Sequence, residues 1–414
     1  PKQFPLKLTT EPVRRVLGRL GNPQDRLPPV IHIAGTNGKG STTAFLRAIA
    51  EAHGKKVHVD TSPHIINVNE RIRVAGELIS DEQLWACLQA VLEANDGESL
   101  SFFEGMTIAS FMAFADTPAD LTLVEVGLGG RFDSTNVFKS PRVSVITPID
   151  LDHKEFLGRH VAQIAWEKAG IIKPQCHVVS AAQQRDVRKT LLAEAAYRDA
   201  PISFLDDVLE LSPGTCDGQS IRLAELTIRD TELGLMGDHQ YQNASLALLA
   251  LQTANLFDLD PDAIRRGLKA VSWPARLQKL DDGPLTRILS GKTVLLDGGH
   301  NPHAAAALAK SLAPQAPMPV IMAILATKDV QSFLAPMRDI AERLIAIPIP
   351  GKHNAHSPEA IAAYARNIGI DATTASDVME AAKLAASSTC ETALICGSLY
   401  LAGSVLAAND QSIN

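Results

Sequence analysis

The stretch that most restricts the fold is Val30-Ile-His-Ile-Ala34 running into Gly35-Thr-Asn-Gly-Lys-Gly-Ser41. An apolar, β-branched run ending in glycines predicts a buried strand, a tight turn and a helix over residues 42–53. The glycines Gly35, Gly38 and Gly40 let the backbone curl so that the N–H groups of the loop, Thr36 and Asn37 included, aim at one anion. The helix start adds positive dipole. Lys39 brings a full charge to phosphates, and Ser41 a hydroxyl suited to Mg²⁺.

The spacing departs from G-x-x-x-x-G-K-[ST], because the first gap is short and Gly40 separates Lys39 from Ser41. Two nucleotide readings therefore compete. Asp60 closes the next strand, Val57–Asp60, about 20 residues on, where a dinucleotide site keeps its ribose-binding acid. Against this, Thr43 stands where that motif wants a third glycine, and a lysine in the turn suits a triphosphate. ATP is the favoured ligand.

With 414 residues, two domains are expected, and 46% hydrophobic with 21% charged residues is the composition of a globular protein. A net charge of −7 argues against a dedicated nucleic-acid binder and leaves room for a local basic pocket for an anionic substrate. Five scattered cysteines without CxxC spacing fit reduced thiols in a cytoplasm. No apolar run reaches the ~18 residues of a membrane span. The expectation is a cytoplasmic globular protein with no membrane or nucleic-acid partner.

Further along, residues 11–20, 81–94 and 100–116 carry helical patterns, while residues 61–73 read as a polar, positively charged substrate loop or a plain surface excursion. The strand 121–126 ends in Glu125 beside Gly127-Leu-Gly-Gly-Arg-Phe-Asp133. A carboxylate at the end of a parallel strand lies where α/β sheets bind ligands, and it is a Mg²⁺ candidate. Strand 143–147 leads to Asp150-Leu-Asp-His153. In the next helix Val161, Ile164, Lys168 and Ile171 form one apolar stripe bearing a lysine. Either Lys168 snorkels or pairs with a carboxylate, or its depressed pKa lets it take up CO₂ and serve as a carbamate metal ligand. Residues 206–235 read as loose β structure, followed by a helix over 241–255 with Asn243 in its first turn. The organisation expected is an ATP-binding domain over 1–275, a linker at 276–284 and a second α/β domain over 285–414. In that second domain Asp297-Gly-Gly-His-Asn-Pro302 forms another strand-to-helix turn, in which Asp297 and His300 suggest ligand contact.

The strings Gly35-Thr-Asn-Gly-Lys-Gly-Ser41, Ser62-Pro-His64, Glu125-Val-Gly-Leu-Gly-Gly-Arg131, Leu151-Asp-His153, Glu167-Lys-Ala-Gly170, His239-Gln240 with Asn243, Trp273-Pro274 with Arg276, Asp297 with His300-Asn-Pro302, and Gly397-Ser398 occur in order. Together they resemble the folylpolyglutamate synthases, including the bifunctional bacterial dihydrofolate synthases, relatives of the Mur ligases. The resemblance spans nearly the whole chain. It implies a P-loop-type ATPase domain with a mostly parallel sheet flanked by helices, and a smaller Rossmann-like C-terminal domain. It also implies ATP-dependent ligation of L-glutamate to dihydropteroate or a reduced folate through an acyl phosphate, with a monofunctional synthase or another Mur-type ligase as alternatives.

Residue by residue, the resemblance implies that Ser41 and Glu125 hold a first Mg²⁺, and His153 with carbamylated Lys168 a second. Lys39 binds the phosphates. Asn243 and Arg276 meet ATP from the far side of the nucleotide, with Arg276 at the hinge. Asp297 and His300 serve the nucleotide and the incoming amino acid. Phe103, in Leu100-Ser101-Phe-Phe-Glu104, stacks on the pterin with Ser101 in the same segment, and Asp133, in Gly129-Gly-Arg-Phe-Asp133, hydrogen-bonds it. His300, Ser398 and Arg71 are assigned to glutamate.

Overall fold

The computed structural model describes residues 9–214, 218–223, 226–351 and 354–412. The chain divides into two compact units. The first comprises residues up to 64, 68–234 and 241–271, and the second 65–67, 235–240 and the chain from 272 onward.

The first unit is built on an eight-stranded sheet ordered Glu77–Leu78, Ile72–Val74, Val57–Asp60, Leu121–Glu125, Val30–Ala34, Val143–Ile146, His177–Ser180, Ile202–Phe204. The last six run parallel. The three central strands are buried along their whole length, as strands covered on both faces must be. Two of their polar side chains find partners inside: His32 Nε2 meets Thr135 Oγ1 at 3.0 Å, and Ser144 donates to the carbonyl of Ile171. Burial, helped by Lys173, pushes His32 down to about 3, so it is neutral. Helices Glu11–Arg19, Asp81–Asn95 and Phe102–Ala115 contribute to one core, and Val161–Ala169 with Arg185–Tyr197 to another. A separate antiparallel sheet, Leu209–Pro213, Gln219–Leu223 and Leu226–Thr231, gives the loosely patterned region its order.

The second unit has a six-stranded sheet ordered Gln278–Lys279, Thr293–Leu296, Thr392–Cys396, Met318–Met322, Ala341–Ala346, Asp371–Thr374, parallel except for its first strand. Helices Pro302–Leu312, Val330–Met337 and Pro358–Asn367 build one core with it, and Pro284–Ile288, Val378–Ala386 and Leu399–Ala408 another. This is a doubly wound sheet.

Two stretches differ from expectation. Within residues 61–73, expected as a substrate loop or a surface excursion, Val68–Arg71 form a short 3₁₀ turn and Ile72–Val74 pair with Glu77–Leu78 in a hairpin that extends the main sheet, and Arg71 is buried. The linker at 276–284 contains strand Gln278–Lys279, paired with Thr293–Leu296. The helix that begins at Val330 stops at Met337, just beyond Pro336, and the chain continues into strand Ala341–Ala346. Among the described residues no helix is long and apolar enough to cross a membrane.

Candidate active site

The helix after the glycine loop starts at Lys39, earlier than the pattern predicts, with Gly38 as its N-cap at φ 86°. A left-handed φ there favours glycine. Gly35 is required for a different reason. A Cβ on it would overlap Thr147 Oγ1 and lie 2.9 Å from Thr147 Cβ. The amides of Thr36 and Asn37 do not face an open cradle: both donate to the carbonyl of Pro148, at 2.9 and 3.3 Å. The Thr36 hydroxyl also joins residue 150, donating to its carbonyl and accepting from its N–H. These two residues therefore moor the loop to the neighbouring strand end. The anion cradle is left to the first turn of the helix, where Lys39, Gly40 and Ser41 have N–H groups without an i−4 carbonyl in the helix.

Lys39 Nζ folds back over the loop, donating to the carbonyls of Gly35 and Thr36, and stands 4.0 Å from Glu125 Oε1. Glu125 and Ser41 are both buried. Strand pairing aligns Glu125 with Ile33, near the end of the strand that feeds the loop. Asn243 approaches from the helix His239–Ala254, its Oδ1 only 2.6 Å from where a Gly38 Cβ would be. It therefore packs on the phosphate loop itself, rather than across a nucleotide from it.

Lys168 is 5% exposed. Burial above all, and then the charge of Lys39, push its ammonium down to about 7, against the opposing pull of Asp152, Asp133 and Glu167. The two lysines thus repel each other in a dry place. His153, with a left-handed φ of 48°, is the turn residue that opens the next short helix, its Nε2 4.0 Å from Asp152 Oδ2. The backbone of Gly130 lies against the Lys168 helix so closely that a Cβ would be 2.8 Å from the Glu167 carbonyl and 3.0 Å from Lys168 Cα.

For a hard cation, Ser41 and Glu125 are a fitting oxygen pair. His153 and Lys168 fit Mg²⁺ only if the lysine supplies oxygens, because a free amine is a poor ligand for it. Among the described residues no three His, Cys, Asp or Glu side chains gather into a preformed metal cluster. A metal here would depend on bound phosphate oxygens as well.

Asp60 does not act as a ribose-binding acid. It is buried, accepts from Ser110 Oγ at 3.2 Å, and burial holds its carboxyl well above the usual range. Arg71 is buried beside it. Arg71 Nε donates to His64 Nδ1 at 2.9 Å, and its guanidinium lies 5.6 and 5.9 Å from the rings of Phe102 and Phe103. Phe102 is the exposed ring of the pair. Phe103 crowds Gly127, whose Cβ would overlap its ring. Ser101 is the N-cap of the helix Phe102–Ala115, in a capping box with Glu104. Asp133 closes its own loop, one oxygen accepting from Leu128 N and the other from Thr135 N and Oγ1. The hydroxyl and the carboxylate both have local structural partners.

In the second unit Asp297 is buried, accepts from Leu277 N at 2.9 Å and Gly299 N at 2.6 Å, and faces Arg276 and His239. Arg276 donates to the Ala275 carbonyl, His300 Nδ1 bonds the Gly298 carbonyl, and Ser398 caps the helix Leu399–Ala408. Sequence reasoning passed over Thr147, Asp152 and His239. Their motifs were visible, but their roles come from partners distant along the chain.

Residues 33–251 match the model of the Mur ligase middle domain, and residues 284–399 that of the Mur ligase glutamate ligase domain. The chain is 36% identical over 366 residues to a dihydrofolate synthase/folylpolyglutamate synthase of Mycobacterium tuberculosis, covering 80% of this chain and 72% of that protein. Among solved structures it resembles the M. tuberculosis folylpolyglutamate synthase complexed with ADP and AMPPCP, with a TM-score of 0.87, 33% identity, and coverage of 98% and 96% of the two chains. It also resembles a bifunctional folylpolyglutamate synthase/dihydrofolate synthase with Mn, AMPPNP and L-glutamate bound, with a TM-score of 0.85, 29% identity, and coverage of 97% and 94%. With the phosphate loop, the strand-end carboxylate and the two α/β units in place, the chain belongs to the dihydrofolate synthase/folylpolyglutamate synthase family of Mur ligases, ATP-dependent enzymes that form amide bonds.

Proposed function

We propose that this protein ligates L-glutamate to dihydropteroate and to the glutamate tail of a reduced folate, at the expense of ATP. The observation that carries the reading is the grouping of Lys39, Glu125 and Lys168 in the first unit, two lysines and a carboxylate drawn from separate elements. A carboxylate oxygen of the acceptor attacks the γ-phosphorus and ADP leaves, giving an acyl phosphate. The glutamate amine attacks the acyl carbon, phosphate departs, and the nitrogen loses a proton.

In this reading Lys39 leaves its loop carbonyls to meet the phosphates, where a positioned cation offsets charge in the transition state. Gly38, Gly40 and Ser41 line the cradle and Asn243 orients the nucleotide. Ser41 and Glu125 would hold one Mg²⁺, and His153 with Lys168 a second. When bound, the ions supply charge neutralisation at the phosphate oxygens. Neutral Lys168 adds to CO₂ through its nitrogen lone pair, a C–O π pair moves to oxygen, and the N–H proton passes to solvent. The resulting anion turns repulsion by Lys39 into attraction.

Phe103 and Asp133 are assigned to the pterin side, with Asp133 acting through the loop it closes and Ser101 through the helix it caps. Arg276 and Asp297 are assigned to ATP. His300, Ser398 and, more distantly, Arg71 are assigned to glutamate. The setting is cytoplasmic and the enzyme a monomer, in keeping with free thiols at Cys87, Cys176, Cys390 and Cys396; Cys216 lies outside the described residues.

Purified protein given dihydropteroate, ATP, Mg²⁺ and L-glutamate should release ADP and phosphate and yield dihydrofolate. Turnover with reduced folates alone identifies a monofunctional synthase. Turnover with neither substrate points to another Mur-type amide ligase and refutes the proposal.

A further inference from the structure

The helix that carries Lys168 is held from behind by a network outside the site. Arg131, from the glycine loop, donates to Glu194 Oε2 at 2.9 Å and to Oε1 at 3.4 Å. Its guanidinium stacks 3.9 Å from the centre of the Trp166 ring and donates to the Trp166 carbonyl at 3.0 Å. Its backbone N–H reaches the Glu167 carbonyl at 2.7 Å. Asn136 Nδ2 bridges the carbonyls of Arg131 and Gly170, both at 3.0 Å. A Cβ on Gly170 would overlap Arg131 Cα, so loop and helix touch backbone to backbone at two places, Gly130 and Gly170.

Glu194 lies on the next helix, Arg185–Tyr197, and is buried. It also takes Arg198 Nε on Oε1 at 3.1 Å. Lys173 borders the same group, since burial first, and then Arg14, Arg198 and Arg131, push its ammonium down. One buried carboxylate therefore balances two arginines with a lysine close by. Without it, three cations face each other in a half-buried space, and the Arg131 guanidinium is left with its contacts to Trp166 alone.

We propose that Glu194 is a positioning residue for Lys168: it locks Arg131 across Trp166 and so fixes the helix that carries the lysine. This rests on the role assigned to Lys168 above. Partners behind a metal ligand commonly change metal affinity or activity by about 10- to 100-fold when removed.

The test uses the full chain with Mg²⁺ and a non-hydrolysable ATP analogue. Chemical trapping of the CO₂ adduct and mass spectrometry of the Lys168 peptide give one readout. The Mg²⁺ concentration for half-maximal nucleotide binding gives another. In Glu194→Ala the adduct should fall and the Mg²⁺ requirement rise about tenfold, both recovering with added bicarbonate. Glu194→Gln, which keeps the shape and one acceptor, should lie between, and it carries the test if the alanine variant does not fold. Arg198→Ala, which removes the other cation from the same carboxylate, should leave both readouts at wild-type values. Wild-type adduct and Mg²⁺ dependence in folded Glu194→Ala or Glu194→Gln would overturn the proposal. A wild type without adduct overturns the Lys168 reading instead. The lock is then judged by hydrogen exchange over residues 161–170, and an unchanged rate in Glu194→Ala refutes it.

Discussion

Replacing Lys168 by methionine should stabilise the fold in a pH-dependent way while destroying turnover. The lysine falls from 10.5 to about 7 inside the protein. At about 1.4 kcal/mol per pH unit, that drop is an electrostatic cost of about 5 kcal/mol for the protonated form. The pull of Asp152, Asp133 and Glu167 is already contained in that drop. A methionine that repacks imperfectly recovers only part of the cost, so the gain should be about 1–4 kcal/mol, the range seen when buried charges become apolar. The sign follows from proton counting. Below about pH 7 both states of wild type hold the proton, and the full cost is present. Between the folded and unfolded values the unfolded chain binds more protons, so wild-type stability rises with pH. The methionine variant lacks this gain. In CO₂-free buffer, urea unfolding should show its advantage over wild type shrinking by about 2–3 kcal/mol between about pH 6 and pH 9. An advantage independent of pH would mean that Lys168 is not held near neutrality.

Two substitutions test steric claims. Gly35→Ala forces a Cβ into Thr147, whose own N–H is tied to the Ala34 carbonyl at 2.8 Å. It should cost about 1–3 kcal/mol and abolish the thermal shift produced by ATP, with partial recovery when Thr147→Gly is added. Recovery failing entirely would place the constraint elsewhere. Gly127→Ala pushes the Phe103 ring aside. Steady-state kinetics should show the KM for dihydropteroate rising about tenfold with that for ATP unchanged, and equal changes in both would separate Phe103 from the acceptor.

Local features of this chain were legible in the sequence. A five-residue apolar run before glycines, and an ammonium on an apolar helical stripe, announce themselves within a dozen residues. What stayed hidden depends on partners far along the chain. Thr36 and Asn37 look like phosphate donors until Pro148, over a hundred residues later, takes their N–H groups. Arg71 reads as part of a charged excursion because its neighbours are polar, yet hairpin pairing draws it inside against Asp60 and the Phe102–Phe103 rings. Asp133 shows the converse. Its place beside the glycines invites a ligand role, but both of its oxygens already accept from the turn that presents it. A motif identifies which residues are brought to an edge. It does not tell which of their atoms remain available there.

The crowding of Lys168 has one more consequence. As a carbamate it would stand beside Lys39, which attracts it, and near Asp152, Asp133 and Glu167, which oppose it. With those three carboxylates ionised, the modified pocket is over-rich in negative charge, and a bound Mg²⁺ relieves it. On the proposed role of Lys168, CO₂ uptake and Mg²⁺ binding should therefore help each other, and linkage requires the two effects to be equal in size. If bicarbonate lowers the Mg²⁺ dissociation constant by some factor, saturating Mg²⁺ must lower the CO₂ dissociation constant by the same factor. A coupling in the usual range of 1–3 kcal/mol corresponds to about 5- to 150-fold. Parallel titrations of the adduct by mass spectrometry and of nucleotide-dependent metal binding by calorimetry measure the two factors separately. Adduct formation indifferent to Mg²⁺ would show that the lysine and the metal do not share this pocket.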